Sequence, residues 1–302
     1  MVISKNNFFV LIIFSLLLPL RTHSQEEVHP KDTTLYCFRY RFNPNDTLVY
    51  LVHSYDSIII DYGKPLLKVR NEIHRVICEN VTKQGTFILS YKLIQFQGRD
   101  FQDTTIVDYT ESDWLNREIK IEIDSFGNRI NFWVDDTLKS GRTPGGPFQP
   151  HMFFPFQDTC KKKNETWLVR STDDLAENGI PIPRFRHTML FKMIGEIDTL
   201  GEKVIRSEFI RTGQGSLKMQ NQLGEILLTA VINSYGYLDV SKEKSVPIHL
   251  FTTVEQKLNI KSDENISTGK HFIHSNYTLI EYHKGKVEVQ KPQKRSTKKS
   301  KR

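Results

Sequence analysis

Apolar and polar side chains alternate with a period of two over most of this chain, the spacing of strands that bury one face and wet the other. The clearest run is 66–79, where Leu67, Val69, Ile73 and Ile77 hold odd positions while Lys68, Arg70, Glu72 and His74 hold even ones. A turn over 81–85 and a return run over 86–96, with Phe87, Leu89, Tyr91 and Leu93 on one face, complete a β-hairpin. Ahead of it, 35–42 and 48–53 read as strands separated by Asn43-Pro44-Asn45-Asp46, residue types that tolerate tight turns. The stretch 55–62 reads as a further strand or an ordered loop. Beyond the hairpin, 118–124 and 129–134 form another around Ser125-Phe126-Gly127-Asn128, and 111–117 has the length of a helical turn or two.

The same order of events is then written again. Gly63 and Gly85 bracket the first long run, and Gly179 and Gly201 bracket a second with Phe185, Met189, Phe191 and Met193; each pair stands 22 positions apart. An offset of 116 maps Pro65 onto Pro181, Arg70 onto Arg186 and Ile73 onto Met189. Because that offset is even, both copies are expected to turn their apolar side chains to the same kind of face, with Arg70 and Arg186 on the other. Asn164-Glu165-Thr166 before Trp167 parallels Asn45-Asp46-Thr47 before Leu48. In this half 171–178 fits a short helix, 203–210 is the return strand, 226–232 and 235–240 read as a hairpin, and 246–260, 272–282 and 286–290 close the sheet. The fold expected is mainly β: an antiparallel curved sheet or half-barrel built from two pseudo-repeated halves, with one or two short helices. Its divisions are a signal peptide over 1–24, a first β-rich half over 25–137, a Gly/Pro-rich connection over 138–163, a second β-rich half over 164–290, and a disordered basic tail over 291–302.

Composition agrees with a globular, strand-rich chain: of 302 residues, 38% are hydrophobic, 25% charged and 11% aromatic. Lys5 followed by the apolar run 8–20, with Thr22 and Ser24 at −3 and −1 of a cut before Gln25, is the pattern of a secretory signal. Export to a periplasmic or extracellular space follows, with cleavage near Ser24. The formal charge of +7 is misleading as a guide to the body of the chain. Lys291, Lys294, Arg295, Lys298, Lys299, Lys301 and Arg302 supply all of it, so the body is neutral and lacks the basic surface of a specific nucleic-acid binder. The tail itself is a candidate for binding anionic surfaces or, like many like-charge runs, a solvated disordered segment. Within 138–156 the glycines and prolines rule out a regular element, while Met152, Phe153, Phe154 and Phe156 are expected to dock because exposing them is costly.

Candidate chemistry is sparse. Gly141–Gly146 lacks the Lys-Ser/Thr ending of a phosphate loop, and no metalloprotease, EF-hand or nucleophile-elbow motif occurs. His271 and His274 stand three apart and so face opposite sides of a strand, which argues against a shared metal. His74, His187 and His249 read as structural, and the acid pairs Asp135/Asp136 and Asp173/Asp174 as turn or cap residues. No cofactor, metal site or catalytic residue is expected. Cys37, Cys78 and Cys160 allow one disulfide and leave one thiol; at least two of them read as small buried hydrophobes. Asn45, Asn80, Asn164, Asn265 and Asn276 open glycosylation sequons, which matter only in a glycosylating host.

The signal segment, the run 42–47 leading into a strand, Phe153-Phe154-Pro155 followed by 164–167, and Gly127 and Gly236 in late hairpins together resemble uncharacterised exported β-sheet proteins of the bacterial envelope. These are in turn loosely similar to the half-barrels of lipoprotein carriers, a resemblance that implies a concave sheet for acyl chains and no catalytic residues. The function expected is therefore an exported, non-catalytic binding protein for a lipid or other apolar or amphipathic ligand on the concave sheet. The alternative is a structural or interaction protein docking to anionic envelope surfaces through its tail; a hydrolase without a recognisable motif ranks third.

Overall fold

Long alternating runs form strands wherever both main-chain edges find partners, and this chain spends nearly all of its described length that way. The computed structural model describes residues 33–112, 114–134, 152–173, 184–221, 224–262 and 265–285. The signal segment, Asp135/Asp136, the glycine-rich 141–146, Asp174 and the basic tail lie outside the described residues. The strands are β1 (Leu35–Tyr36), β2 (Thr47–Ile60), β3 (Leu66–Val81), β4 (Phe87–Gln102), β5 (Thr105–Tyr109), β6 (Glu118–Ile123) and β7 (Arg129–Val134). They continue with β8 (Lys161–Lys162), β9 (Thr166–Asp173), β10 (Arg184–Thr199), β11 (Glu202–Asn221), β12 (Gly224–Ser241), β13 (Pro247–Ser262) and β14 (Asn265–His283).

One antiparallel sheet of 12 strands carries all but β1 and β8, in the order β7-β6-β4-β3-β2-β14-β13-β12-β11-β10-β9, with β5 on the flank of β4. Each half of the sequence is an up-and-down meander. The two are joined where the last strand, β14, pairs with β2 along 47–60. The curved sheet stays open between β7 and β9, the strands on either side of the Gly/Pro-rich connection.

Several local expectations are corrected by this pairing. Residues 226–240 form no hairpin: Asn233 and Gly236, which look like turn residues, pair on both sides within β12, with Thr212 and Phe209 in β11 and with Glu255 and Thr252 in β13. Glycine stands at 236 because a Cβ there would lie 1.9 Å from the Phe251 carbonyl oxygen. Among the described residues there is no helix. Residues 114–117 make a turn bridged to Leu93, 171–173 continue β9, and of 35–42 only Leu35 and Tyr36 pair as strand.

The core explains the open sheet. Phe38, Tyr40 and Phe42 point one way from an extended segment while Arg39 and Arg41 stay exposed; Met152, Phe153, Phe154 and Phe156 meet them. Phe38 stacks on Phe156 at 4.4 Å, Tyr40 and Phe42 meet Phe153 edge-on at 5.6 and 5.8 Å, and Phe154 packs on Phe209 at 4.8 Å. Around this wedge lie Leu48 and Tyr50 (β2), Val76 and Cys78 (β3), Leu89 (β4), Ile121 (β6), Phe132 (β7), Trp167 (β9), Phe191 and Met193 (β10), Phe209 (β11), Leu238 (β12), Leu250 (β13) and Tyr277 (β14). Gly127 lets the wedge approach: its φ is 82°, and a Cβ would sit 2.2 Å from the Phe154 carbonyl oxygen.

The sequence repeat is real, but its offset changes along the chain. Asn45 and Asn164 both adopt left-handed φ, 68° and 64°. Asn45 donates its amide to Cys78 O at 2.7 Å and Cys78 donates back to Asp46 O at 2.9 Å; Asn164, Met193 and Glu165 repeat this pattern with the same two lengths reversed in no respect. Each partner strand is bulged immediately afterwards, between Cys78 and Asn80 and between Met193 and Gly195. Met193 is thus the counterpart of Cys78, so β3 maps onto β10 by an odd offset and the expected parity is inverted. The buried face of β3 is the even one, Glu72, His74, Val76 and Cys78, whereas that of β10 is odd, Met189, Phe191 and Met193. Leu67, Val69, Ile73 and Ile77 are only half-buried, Arg70 stands on the core-bearing face and Arg186 on the opposite, exposed one.

A disulfide between Cys37 and Cys160 fastens the two wedge segments beside the β1–β8 pair. The expectation of two buried structural thiols reduces to Cys78 alone, whose thiol is pushed up to about 12 by burial and then by Asp46. The bridge closes a loop of 123 residues, for which chain-entropy arguments give a stabilisation of about 5 kcal/mol, at the upper end of a general range of about 2–5. Replacing both cysteines by serine is expected to lower the unfolding free energy by that amount in urea titrations, and reducing the wild type is expected to reproduce the loss.

Candidate functional site

Charged residues gather on the core-bearing face above the aromatic wedge. Asp56 on β2 and Arg70, Glu72 and His74 on β3 alternate inward, and the β2–β3 register sets them side by side. Arg70 bonds Asp56 at 2.9 Å and Glu72 at 3.3 Å, and Glu72 bonds His74 at 2.7 Å. His271, on β14, lies 3.9 Å from Asp56. Ser54 and Ser275 pair their hydroxyls at 2.9 Å beside them. Burial pushes the Asp56 carboxyl up, but His271 and Arg70 outweigh it and the net direction is down. For Glu72 burial likewise raises the pKa, and His74 and Arg70 together bring it below the ordinary range. The result is a compensated buried network whose acids stay ionised.

On the opposite face, His249 lies 3.4 Å from Asp239 and bonds Asn276 at 2.6 Å, while Arg206 bonds both carboxylate oxygens of Asp239 at 2.7 Å. His271 and His274 do face opposite sides of β14, paired with Gln256 and Thr253. Among the described residues no group of three or more His, Cys, Asp or Glu converges as a metal site.

An accessible concavity lies at the end of the sheet away from the wedge. It is open, with a volume of about 970 Å³. Directly opposed residues of neighbouring strands share a face, and one such row runs Ile59–Lys270–Lys257–Val231–Gln214–Arg186 from β2 to β10. A second row, Thr268–Asn259–Thr229–Ser216, lies beside it. All of these line the cavity. They stand on the face opposite the aromatic core, which at its own end is filled by Phe38, Tyr40, Phe42 and 152–156. The concave apolar face expected to hold a ligand is therefore occupied there by the chain's own side chains.

The rim is built by the turn after β2. Asp61 and Tyr62 have φ of 46° and 61°, and Asp61 exchanges bonds with Thr268: its amide donates to Thr268 O at 2.9 Å and its carboxylate accepts from the Thr268 amide at 2.7 Å. Ser267 and then the Thr268 amide hold the Asp61 carboxyl below its ordinary value. Tyr62 is fully exposed at the rim. A shallower cavity of about 430 Å³ adjoins, sharing Arg186, Gln214 and Val231 and adding Arg170.

Arg186 was legible as a wet-face residue, but nothing in the local sequence singles out Lys257 or Lys270. They reach the cavity by register across strands distant in sequence, and no spacing rule encodes that. The seven cations of the tail, Lys291 to Arg302, lie outside the described residues, as does any relation between them and this cavity.

No family model and no curated protein matches the chain. Among solved structures it is similar to the crystal structure of Pseudomonas aeruginosa OpdQ at 7% identity, over 80% of this chain and 100% of that one, with a TM-score of 0.24. A likeness that slight carries no argument.

The buried network makes a prediction independent of the cavity. Its carboxylates have folded pKa values below the ordinary 3.8 and 4.5, so their contribution is full above about pH 5 and is lost as pH falls through the folded values. Glu72→Gln breaks a buried charge network and is expected to cost about 3 kcal/mol at pH 7. Urea midpoints measured against pH should fall less steeply below about pH 4 in the variant than in the wild type.

Proposed function

We propose that this chain is an exported, non-catalytic binding protein of the cell envelope that holds an apolar or amphipathic small molecule in the open cavity at the far end of its sheet. The observation that carries the reading is the cavity itself. Its volume of about 970 Å³ falls at the upper end of the range usual for small-molecule sites, about 300–1,000 Å³. Its lining sets apolar Ile59 and Val231 beside the hydroxyls and amides of Thr229, Ser216, Gln214 and Asn259.

A binding role is favoured over catalysis by what lines the site. Its hydroxyls have no histidine among the lining residues, and its single acid, Asp61, is engaged in the turn. The acid–histidine network of Asp56, Glu72, His74 and His271 stands on the other face. The Cys37–Cys160 disulfide supports export, because such bridges persist in oxidising compartments. Native mass spectrometry before and after delipidation is expected to show loss of a bound small molecule, and Val231→Asp is expected to reduce the amount retained at least about tenfold, the cost of placing a charge where an apolar tail lies. Identical spectra before and after delipidation would remove the support for this reading.

A second reading, contact with anionic envelope surfaces, is favoured by the seven cations crowded into 291–302 without an acid. Deleting those residues is expected to abolish binding to vesicles containing anionic phospholipid at low salt, as counted by co-sedimentation. Unchanged sedimentation would sink it.

A further inference from the structure

The charges around the cavity are one-sided, and two of them are placed against the interest of the fold. Lys257 and Lys270 are direct cross-strand partners on β13 and β14, both exposed and on the same face. Like charges so opposed have Cβ atoms about 4.5–5.5 Å apart and weaken the pairing. Neither has an acidic partner among the described residues, and the same holds for Arg186 further along the row and for Arg170 in the adjoining hollow. Arg170 pairs in register with Thr188, two positions from Arg186 on the same face of β10. The cavity's one acid, Asp61, has its carboxylate turned to the Thr268 amide and serves the rim. A ligand entering the site therefore meets three cations, Arg186, Lys257 and Lys270, and no available anion.

We propose that the Lys257–Lys270 pair is the head-group subsite of this cavity and that the ligand is an anionic amphiphile: a single hydrocarbon chain ending in a carboxylate or a phosphate. The inference rests on the binding reading above and adds the ligand's charge and the residues that select it. Ile59 flanks Lys270 and Val231 flanks Lys257 in the same row, so an anion seated between the two ammonium groups leaves its hydrocarbon beside apolar side chains. Bound negative charge also removes the lysine–lysine repulsion, so binding and local sheet stability are coupled. Gln214 and Arg186 continue the row beyond Val231 and offer polar contacts to the far side of the site.

The test uses the purified full chain and three probes of one chain length below their micelle concentrations: dodecanoate, dodecyl phosphate and neutral monododecanoylglycerol. Isothermal titration calorimetry is expected to show the two anions binding at least about tenfold tighter than the neutral probe, with the gap closing as salt is raised. Dodecyl phosphate exceeding dodecanoate, or the reverse, identifies which head group the pair prefers. Lys257→Glu turns the like-charged pair into an ion pair; it is expected to raise the melting temperature while erasing the preference for anions. Lys270→Gln checks the same point without a charge reversal. Equal affinity for charged and neutral probes, or an anion preference untouched in both variants, overturns the head-group assignment and leaves the binding reading standing. If none of the three probes binds, the binding reading falls, and this inference with it.

Discussion

An open sheet with one apolar face has to cover that face with something, and here the cover is the aromatic wedge. Segment 38–42 comes from the start of the first half and 152–156 from the Gly/Pro-rich connection, and they meet face to face, Phe38 stacked on Phe156. Burying a Phe or Met side chain is worth about 1.5–3 kcal/mol, and seven large groups from these two segments are buried together. Strands from β2 to β14 converge on them, so the curvature of the sheet, the position of its open seam and the Cys37–Cys160 bridge all answer to one requirement. Gly127 shows how tight the fit is, since any side chain there would collide with the Phe154 carbonyl.

The wedge also decides where a ligand can go. At its own end the core-bearing face is filled, and above it that face carries the compensated network of Asp56, Arg70, Glu72 and His74. A network of this kind is stable only when every charge has its partner, which leaves it poorly suited to opening for a ligand. A free concavity arises on the other face, at the far end, where β11 to β14 run long and the turn at 61–63 folds over to Thr268. There the side chains are exposed, the cations have no acids among the described residues, and two lysines oppose each other across a strand pair. A stable sheet tolerates that arrangement because the strands are anchored elsewhere, by the wedge.

The duplicated architecture shows how a repeat can be right in order and wrong in detail. Asn45 and Asn164 make the same left-handed turn and the same pair of main-chain bonds to the next long strand, and both strands bulge at the following residue. The apolar odd positions of β3 pointed to the wrong buried face, although the same odd parity holds for Met189, Phe191 and Met193 of β10. In a strand one residue of slip exchanges the faces completely, so Arg70 and His74 moved from the wet side to the core-bearing one and Ile73 and Ile77 moved out. Residues as apolar as Ile73 and as polar as Glu72 can trade places because Arg70 and His74 complete the charge of Glu72 once it is inside.

By itself the sequence determined that the chain is built of strands, since period-two alternation, β-branched residues and turn residues all act over a few neighbours. It determined that Met152, Phe153, Phe154 and Phe156 would dock, because leaving them in water is costly wherever they lie. It determined that His271 and His274 would face apart, because a strand admits no other geometry. Tertiary structure alone decided that 226–240 is one strand, for Asn233 and Gly236 look like a turn until β11 and β13 are laid alongside. It alone decided which thiols pair, which face of β3 is inside, and that Ile59, Lys270, Lys257, Val231, Gln214 and Arg186 stand in one row. The physical reason is the same in each case: register couples residues far apart in sequence, and the energy that selects it belongs to the assembled sheet rather than to any one strand.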